Sequence, residues 1–251
     1  MKNLQKILFT SLLAIFASNI FADNVDIESR LTQALETNLG GMVVESVQPA
    51  GVDALYEVTF RNGPTIVAHE SGSYFFVGDL FSVHEAGVVN ITEMRRNGER
   101  AKLMASVQDG DTTNFMPEGE VKAVINVFTD TTCYYCRKLH AEVPRLNELG
   151  VEVRYLAYPR YGLNPDEKNR RGLDELVSTW CSQDRADTLT AYKNNQNRPL
   201  ETCASTAVSE QFNLGRAVGV SGTPAIVLDS GELIPGYKTA DQLAEILGIT
   251  E

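Results

Sequence analysis

Cys133 and Cys136 are the residues whose type and spacing most directly promise chemistry in this chain. They sit in Phe128-Thr129-Asp130-Thr131-Thr132-Cys133-Tyr134-Tyr135-Cys136-Arg137-Lys138-Leu139-His140, after the apolar run Val121 to Phe128 and at the start of a helical pattern. One helical turn puts two such sulfurs on the same side, close enough to bridge, and in this context C-x-x-C reads as a thiol and disulfide exchange site. With Thr131 or Thr132 as cap, Cys133 falls in the first turn, where unpaired N–H groups and the positive end of the dipole favour a thiolate. Cys133 is therefore expected to attack. Cys136 continues into an apolar stripe with Leu139, Val143, Leu146 and Leu149, so it is expected to be shielded and to resolve the mixed disulfide that Cys133 forms.

A C-x-x-C is also half of a zinc site. A zinc ribbon needs a second close pair, but Cys181 and Cys203 have 21 residues between them, and His69, His84 and His140 have no ligand spacing. No metal and no cofactor is expected.

The elements that must position the dithiol follow from periodicity. Val121 to Phe128, the Cys133 helix ended by Gly150, and Val151 to Tyr158 ended by Pro159 form a βαβ unit with the cysteines at its strand-to-helix turn, and Pro144 should kink the helix. Asp166 to Leu214 is longer than a crossover needs and reads as a helical insertion. Pro224 sits at a strand entry, followed by Ala225 to Leu228, a strand from Glu232 to Ile234 and a last helix from Thr239 to Leu247, with Thr239 and Gln242 as a capping box.

Earlier in the chain, a helix from Asp26 to Leu39 stops at Gly40-Gly41. Strands are then expected over Met42 to Val47, Leu55 to Arg61, Thr65 to Ala68 and Tyr74 to Val77. So small a unit without cysteines gains stability by docking, most simply on a second copy of itself, otherwise on the rest of the chain. Asn90 to Val107 reads as a charged linker helix, and Asp109 to Glu120 as the loop after it.

Lys2 and Lys6, the apolar stretch to Ile20 and Ile20-Phe21-Ala22 before Asp23 have the layout of a secretory signal peptide cleaved near Ala22. Its removal takes two lysines and no acids, deepening the formal charge from -11 to -13. That surface repels nucleic acid and anionic membranes, so neither is an expected partner. Export to the periplasm also favours a disulfide between Cys181 and Cys203, worth about 3 kcal/mol in the chain-entropy model, over two buried free thiols.

These residues, with Val153 to Arg160, Trp180-Cys181, and Leu214-Gly215 through Val220-Ser221-Gly222-Thr223-Pro224-Ala225 to Pro235-Gly236-Tyr237, resemble the DsbC/DsbG family of periplasmic thiol:disulfide interchange proteins, within the thioredoxin superfamily. The match is dense over residues 121 to 240; over 23 to 107 it rests on element order. The resemblance implies a mixed α+β and α/β chain, made of a signal peptide (1–22), a cystatin-like dimerisation domain (23–89), a linker helix (90–108) and a thioredoxin-like catalytic domain (109–251) with a helical insertion (about 162–214). It implies a cis Thr223-Pro224 bond facing the dithiol, substrate binding by Thr223, Pro224, Tyr134 and Tyr135, and the Cys181-Cys203 bridge.

The implied activity is disulfide isomerase and reductase, acting on unfolded or misoxidised exported proteins with chaperone-like binding. A homodimer is implied, and so is a membrane-bound, DsbD-like thiol reductase that returns electrons. Alternatives on the same scaffold are a DsbG-like sulfenic-acid reductase, a dithiol oxidase and a non-enzymatic holdase. Tyr134 departs from the family, which usually has glycine there, and a ring between the cysteines should alter access and potential.

Overall fold

A computed structural model describes residues 26–249 apart from 62 and 86. The expected signal peptide lies outside the described residues. The described chain divides into two units after Met94.

In the first unit, helix α1 (residues 26–38) buries Leu31 and Leu35 against an antiparallel sheet of β1 (Val44–Pro49), β2 (Leu55–Phe60), β3 (Thr65–His69) and β4 (Phe75–Phe76), in that order. Val47, Val58, Phe60, Ile66 and Ala68 complete the core. In β2 Val58 and Phe60 alternate inward, as a half-buried strand requires, whereas Ile66, Val67 and Ala68 of β3 are all buried. A separate hairpin, β5 (Phe81–His84) and β6 (Gly87–Asn90), was not expected: its apolar residues Phe81, Val83, Val88 and Val89 are exposed, so no buried face marks it. Helix α2 (Ile91–Met104) starts at Asn90, whose Oδ1 accepts from Glu93 N at 2.8 Å.

The second unit is built on a five-stranded sheet. Its strands are β7 (Thr113–Phe115), β8 (Ala123–Thr129), β9 (Val151–Ala157), β10 (Ala225–Leu228) and β11 (Leu233–Pro235), in the order β11-β10-β8-β9-β7. β8 and β9 are parallel; the other pairs are antiparallel. Most of the side chains of β8 and β9 are buried, as central strands covered on both faces demand. β7 lies where a loop was expected, because three residues on a sheet edge leave too short a pattern to read.

The crossover from β8 to β9 is two helices, α3 (Tyr134–Ala141) and α4 (Val143–Glu148), broken at Glu142. The expected kink is thus a full break, with Pro144 in the first turn of α4, where a missing N–H leaves nothing unpaired. Leu139, Val143, Leu146 and Leu149 pack on the sheet.

The insertion holds α5 (Arg171–Cys181), α6 (Arg185–Lys193) and α7 (Ala207–Ala217). It is fastened at Asp111, whose carbonyl accepts from Trp180 Nε1 at 2.8 Å and Gln211 Nε2 at 2.6 Å, while Gln211 Oε1 accepts from Ala157 N at 2.7 Å. The closing helix α8 (Ala240–Ile246) starts with both bonds of the Thr239–Gln242 capping box. Among the described residues no helix is long and apolar enough to cross a membrane.

Candidate active site

Cys133 is the N-cap of α3, with φ -78° and ψ 122°, rather than a residue of its first turn. Neither Thr131 nor Thr132 caps the helix. Asp130 shapes the turn instead: its Oδ1 accepts from Thr132 N at 2.7 Å and Thr132 Oγ1 at 2.6 Å, and its Oδ2 accepts from Arg160 N at 2.9 Å. The Arg160 guanidinium pairs with the same carboxylate at 3.5 Å and donates to Thr132 Oγ1 at 3.1 Å. Asp130 is almost wholly buried, so this pairing holds the end of β8 and the chain after β9 together beneath the cysteine turn.

Both cysteines are thiols. Cys133 keeps 4% of its surface exposed and Cys136 none, which makes Cys133 the sulfur a second molecule can reach. Cys133 Sγ donates to the carbonyl of Thr223 at 3.2 Å, and the Thr223-Pro224 peptide bond is cis. The antiparallel pairing of Ala225 with Phe128 brings these two segments, 90 residues apart, side by side.

The two thiols are pushed in opposite directions. Cys133 falls from the ordinary 9.0 to about 5. The S–H of Cys136 is the largest cause, since it donates to the thiolate; burial opposes it, and the Thr223 hydroxyl, the Cys136 N–H and the Arg160 charge add support. The neutral thiol makes no capping bond, but the thiolate is a better acceptor and gains the N–H of Cys136, at the third position of the helix. The Thr223 hydroxyl is buried without a partner of its own, so it is free to turn to the thiolate. Cys136 is raised well above the ordinary thiol range, first by burial and then by donating its proton to Cys133. An acidic, reachable sulfur over a buried, proton-holding one is equipped for nucleophilic attack on a disulfide followed by intramolecular resolution.

Tyr134 and Tyr135 stand at the surface, 69% and 55% exposed, edge to face at 5.2 Å between ring centroids. Tyr135 stacks on Tyr237 at 6.5 Å, and Lys138 Nζ lies 4.7 Å from the Tyr237 centroid. An aromatic rim therefore flanks Cys133. Cys181 and Cys203 are bonded to each other at the end of α5, apart from the dithiol.

Two side chains around the dithiol were not singled out from the sequence. Arg160 reaches the turn only through tertiary folding. Lys193 is 2% exposed, and its signal was its position: four residues after Leu189 on the buried face of α6, where a lysine is out of place.

Residues 110–249 match the model of a thioredoxin-like domain and residues 21–93 that of a disulfide bond isomerase protein N-terminal domain. Thiol:disulfide interchange protein DsbC of Escherichia coli (strain K12) is 32% identical over 240 residues, covering 96% of this chain and 93% of that protein. The Haemophilus influenzae protein of the same name is 31% identical over 242 residues, covering 95% and 96%, and that of Pasteurella multocida 32% over 244, covering 97% and 99%. Among solved structures, a disulfide interchange protein from Neisseria gonorrhoeae aligns with a TM-score of 0.49 and 27% identity over 57% of this chain and 96% of that one. Sequence identity sustained over nearly the full length of both partners goes beyond a shared fold, and the chain belongs to the DsbC family of thiol:disulfide interchange enzymes.

Proposed function

We propose that this enzyme is a disulfide isomerase and reductase of the periplasm, acting on unfolded or misoxidised exported proteins through Cys133 and Cys136. The observation that carries the proposal is the Cys133 sulfur itself: drawn down to about 5, 3.2 Å from the Thr223 carbonyl, with the proton-bearing Cys136 buried beside it. The Cys133 thiolate attacks one sulfur of a substrate disulfide, the substrate S–S bond breaks, and the departing sulfur leaves as a thiolate. Another substrate thiolate then attacks the mixed disulfide and gives a reshuffled bond, or Cys136 attacks it and gives a reduced substrate with a Cys133–Cys136 disulfide. A membrane-bound thiol reductase returns two electrons to the oxidised form.

Thr223 and Pro224 line the approach to Cys133. A proline offers no N–H there, and the Thr223 backbone suits pairing with an extended substrate segment. Tyr134 and Tyr135 supply apolar contact beside the sulfur. In the first unit, Tyr74 and the edge-strand residues Phe75 and Phe76 are exposed, which supports a homodimer through that unit and chaperone-like binding of unfolded chains.

Refolding of a scrambled multi-disulfide substrate tests the activity: acceleration by the native enzyme and none by Cys133→Ala is expected, and equal rates reject it. The acidity of Cys133 also favours a second reading, a dithiol oxidase, because a stabilised thiolate makes the disulfide a stronger oxidant. A dithiol found mostly oxidised in cells selects the oxidase, and one found mostly reduced selects the isomerase.

A further inference from the structure

Beneath the dithiol lies a buried polar cluster that the exchange steps above leave unused. Lys193 Nζ donates to Thr129 Oγ1 at 2.7 Å and sits 5.1 Å from the centroid of the Tyr155 ring. Tyr155 OH meets His140 Nδ1 at 3.1 Å, and His140 Nε2 meets Thr190 Oγ1 at 3.1 Å. These contacts fix how α6 passes α3. Thr190 is level with His140, whereas Lys193, three residues on, reaches back to Thr129, the last residue of β8 before the turn into α3. The two helices therefore run in opposite senses, and the final turn of α6 brings the Lys193 amine to the first turn of α3, where Cys136 faces inward one turn from His140.

Cys136 has to lose a proton before it can attack, and no water reaches it. The other ionisable groups around it are committed. Asp130 has both carboxylate oxygens held by Thr132 and Arg160. Arg137 Nε donates to the Thr131 carbonyl and is no base. His140 has both ring nitrogens engaged, and burial drives it down to about 3. Tyr155 is pushed well up, by burial and by Cys136, and keeps its proton.

We propose that Lys193 is the proton acceptor for Cys136. This rests on Cys133 and Cys136 being the exchanging pair. In the resolving step the Cys136 proton passes to the neutral Lys193 amine. The Cys136 thiolate attacks Cys133 Sγ, the enzyme–substrate S–S bond breaks, and the substrate sulfur departs as a thiolate that takes a proton from water. The ammonium left on Lys193 loses its proton to solvent when the site next opens. Burial lowers the Lys193 amine from its ordinary value, which keeps the neutral form within reach, while the charges of Cys136, Asp130 and Cys133 pull it back up and Arg137 adds to the lowering. A buried ammonium whose hydrogen-bond partner is a hydroxyl is costly, so the amine is a ready base. Such a base favours resolution by Cys136 over resolution by a substrate cysteine, tilting the enzyme toward reduction.

The test uses the mature full chain carrying glutathione as a mixed disulfide on Cys133, with glutathione release followed in single turnover across pH. With Lys193 as internal base, Lys193→Met releases about a hundredfold more slowly than the native enzyme at about pH 7, its rate rising tenfold per pH unit, and the native rate rises less steeply than that. Native release that itself rises tenfold per unit overturns the proposal, as does a Lys193→Met rate equal to the native one. The native profile needs no variant, so a misfolded Lys193→Met does not shelter the idea. Failure of the underlying reading looks different: no mixed disulfide forms on Cys133, or the native enzyme never releases it.

Discussion

Lowering the pH on the reduced enzyme should remove a defined amount of stability, and the Cys133 thiolate sets how much. Its folded value, about 5, is depressed from 9.0 in the unfolded chain. A depressed value stabilises the folded state above the unfolded one and loses that effect as pH falls through the folded value. At about pH 7 the folded sulfur is mostly thiolate and the unfolded one mostly thiol, a difference of about 3 kcal/mol at 1.36 kcal/mol per unit. The contribution grows toward pH 9 and vanishes below about pH 5.

Comparing reduced protein with protein oxidised at Cys133–Cys136 isolates this effect, because His140 contributes in both while only the reduced form has the thiolate. Denaturant unfolding of the second unit, with Cys181–Cys203 left intact, should show the reduced-minus-oxidised stability falling by about 1.4 kcal/mol per pH unit between about pH 8 and 5. Alkylation of Cys133 should titrate at the same midpoint. Cys136→Ala removes the strongest donor to the thiolate, and a hydrogen bond to a charged group is worth about 1.5–3 kcal/mol, so the alkylation midpoint should rise by about one to two units. A midpoint near that of a free thiol, or a stability difference independent of pH from 8 to 5, would refute the reasoning.

His140 should make both redox forms acid-sensitive. Its folded value, about 3, lies below the ordinary 6.5, so its contribution is full above about pH 6.5 and is lost as pH falls toward 3; His140→Gln should flatten that part of the stability profile, measured by denaturation. Gly231 is expected to admit no side chain. At φ +83°, a Cβ there would stand 1.8 Å from the Asn97 carbonyl oxygen, so Gly231→Ala should cost about 3 kcal/mol or more and loosen the middle of α2. Arg100 joins that stretch to the carbonyls of Val218 and Gly231 at 3.0 Å and 3.2 Å, and faster proteolysis within α2 is the accompanying readout.

Local pattern carried much of this enzyme. Spacing alone pointed to Cys133 and Cys136 as a redox pair, since a helical turn is a local object and two thiols one turn apart have few other uses. The capping box at Thr239 and the apolar stripe from Leu139 to Leu149 were legible for the same reason: each partner lies within a few residues of the other. What depended on distant segments was not written locally. Cys133 as cap rather than first-turn residue follows from Asp130 being held by Arg160 across the sheet. The thiolate's support from Thr223 needs β10 to pair with β8, and the lysine beneath Cys136 needs α6 to lie against α3. The order of two cysteines in the chain determined which chemistry this protein could perform; the low-dielectric interior, assembled from segments up to 90 residues apart, decided which sulfur is acidic, which keeps its proton, and what stands ready to take that proton away.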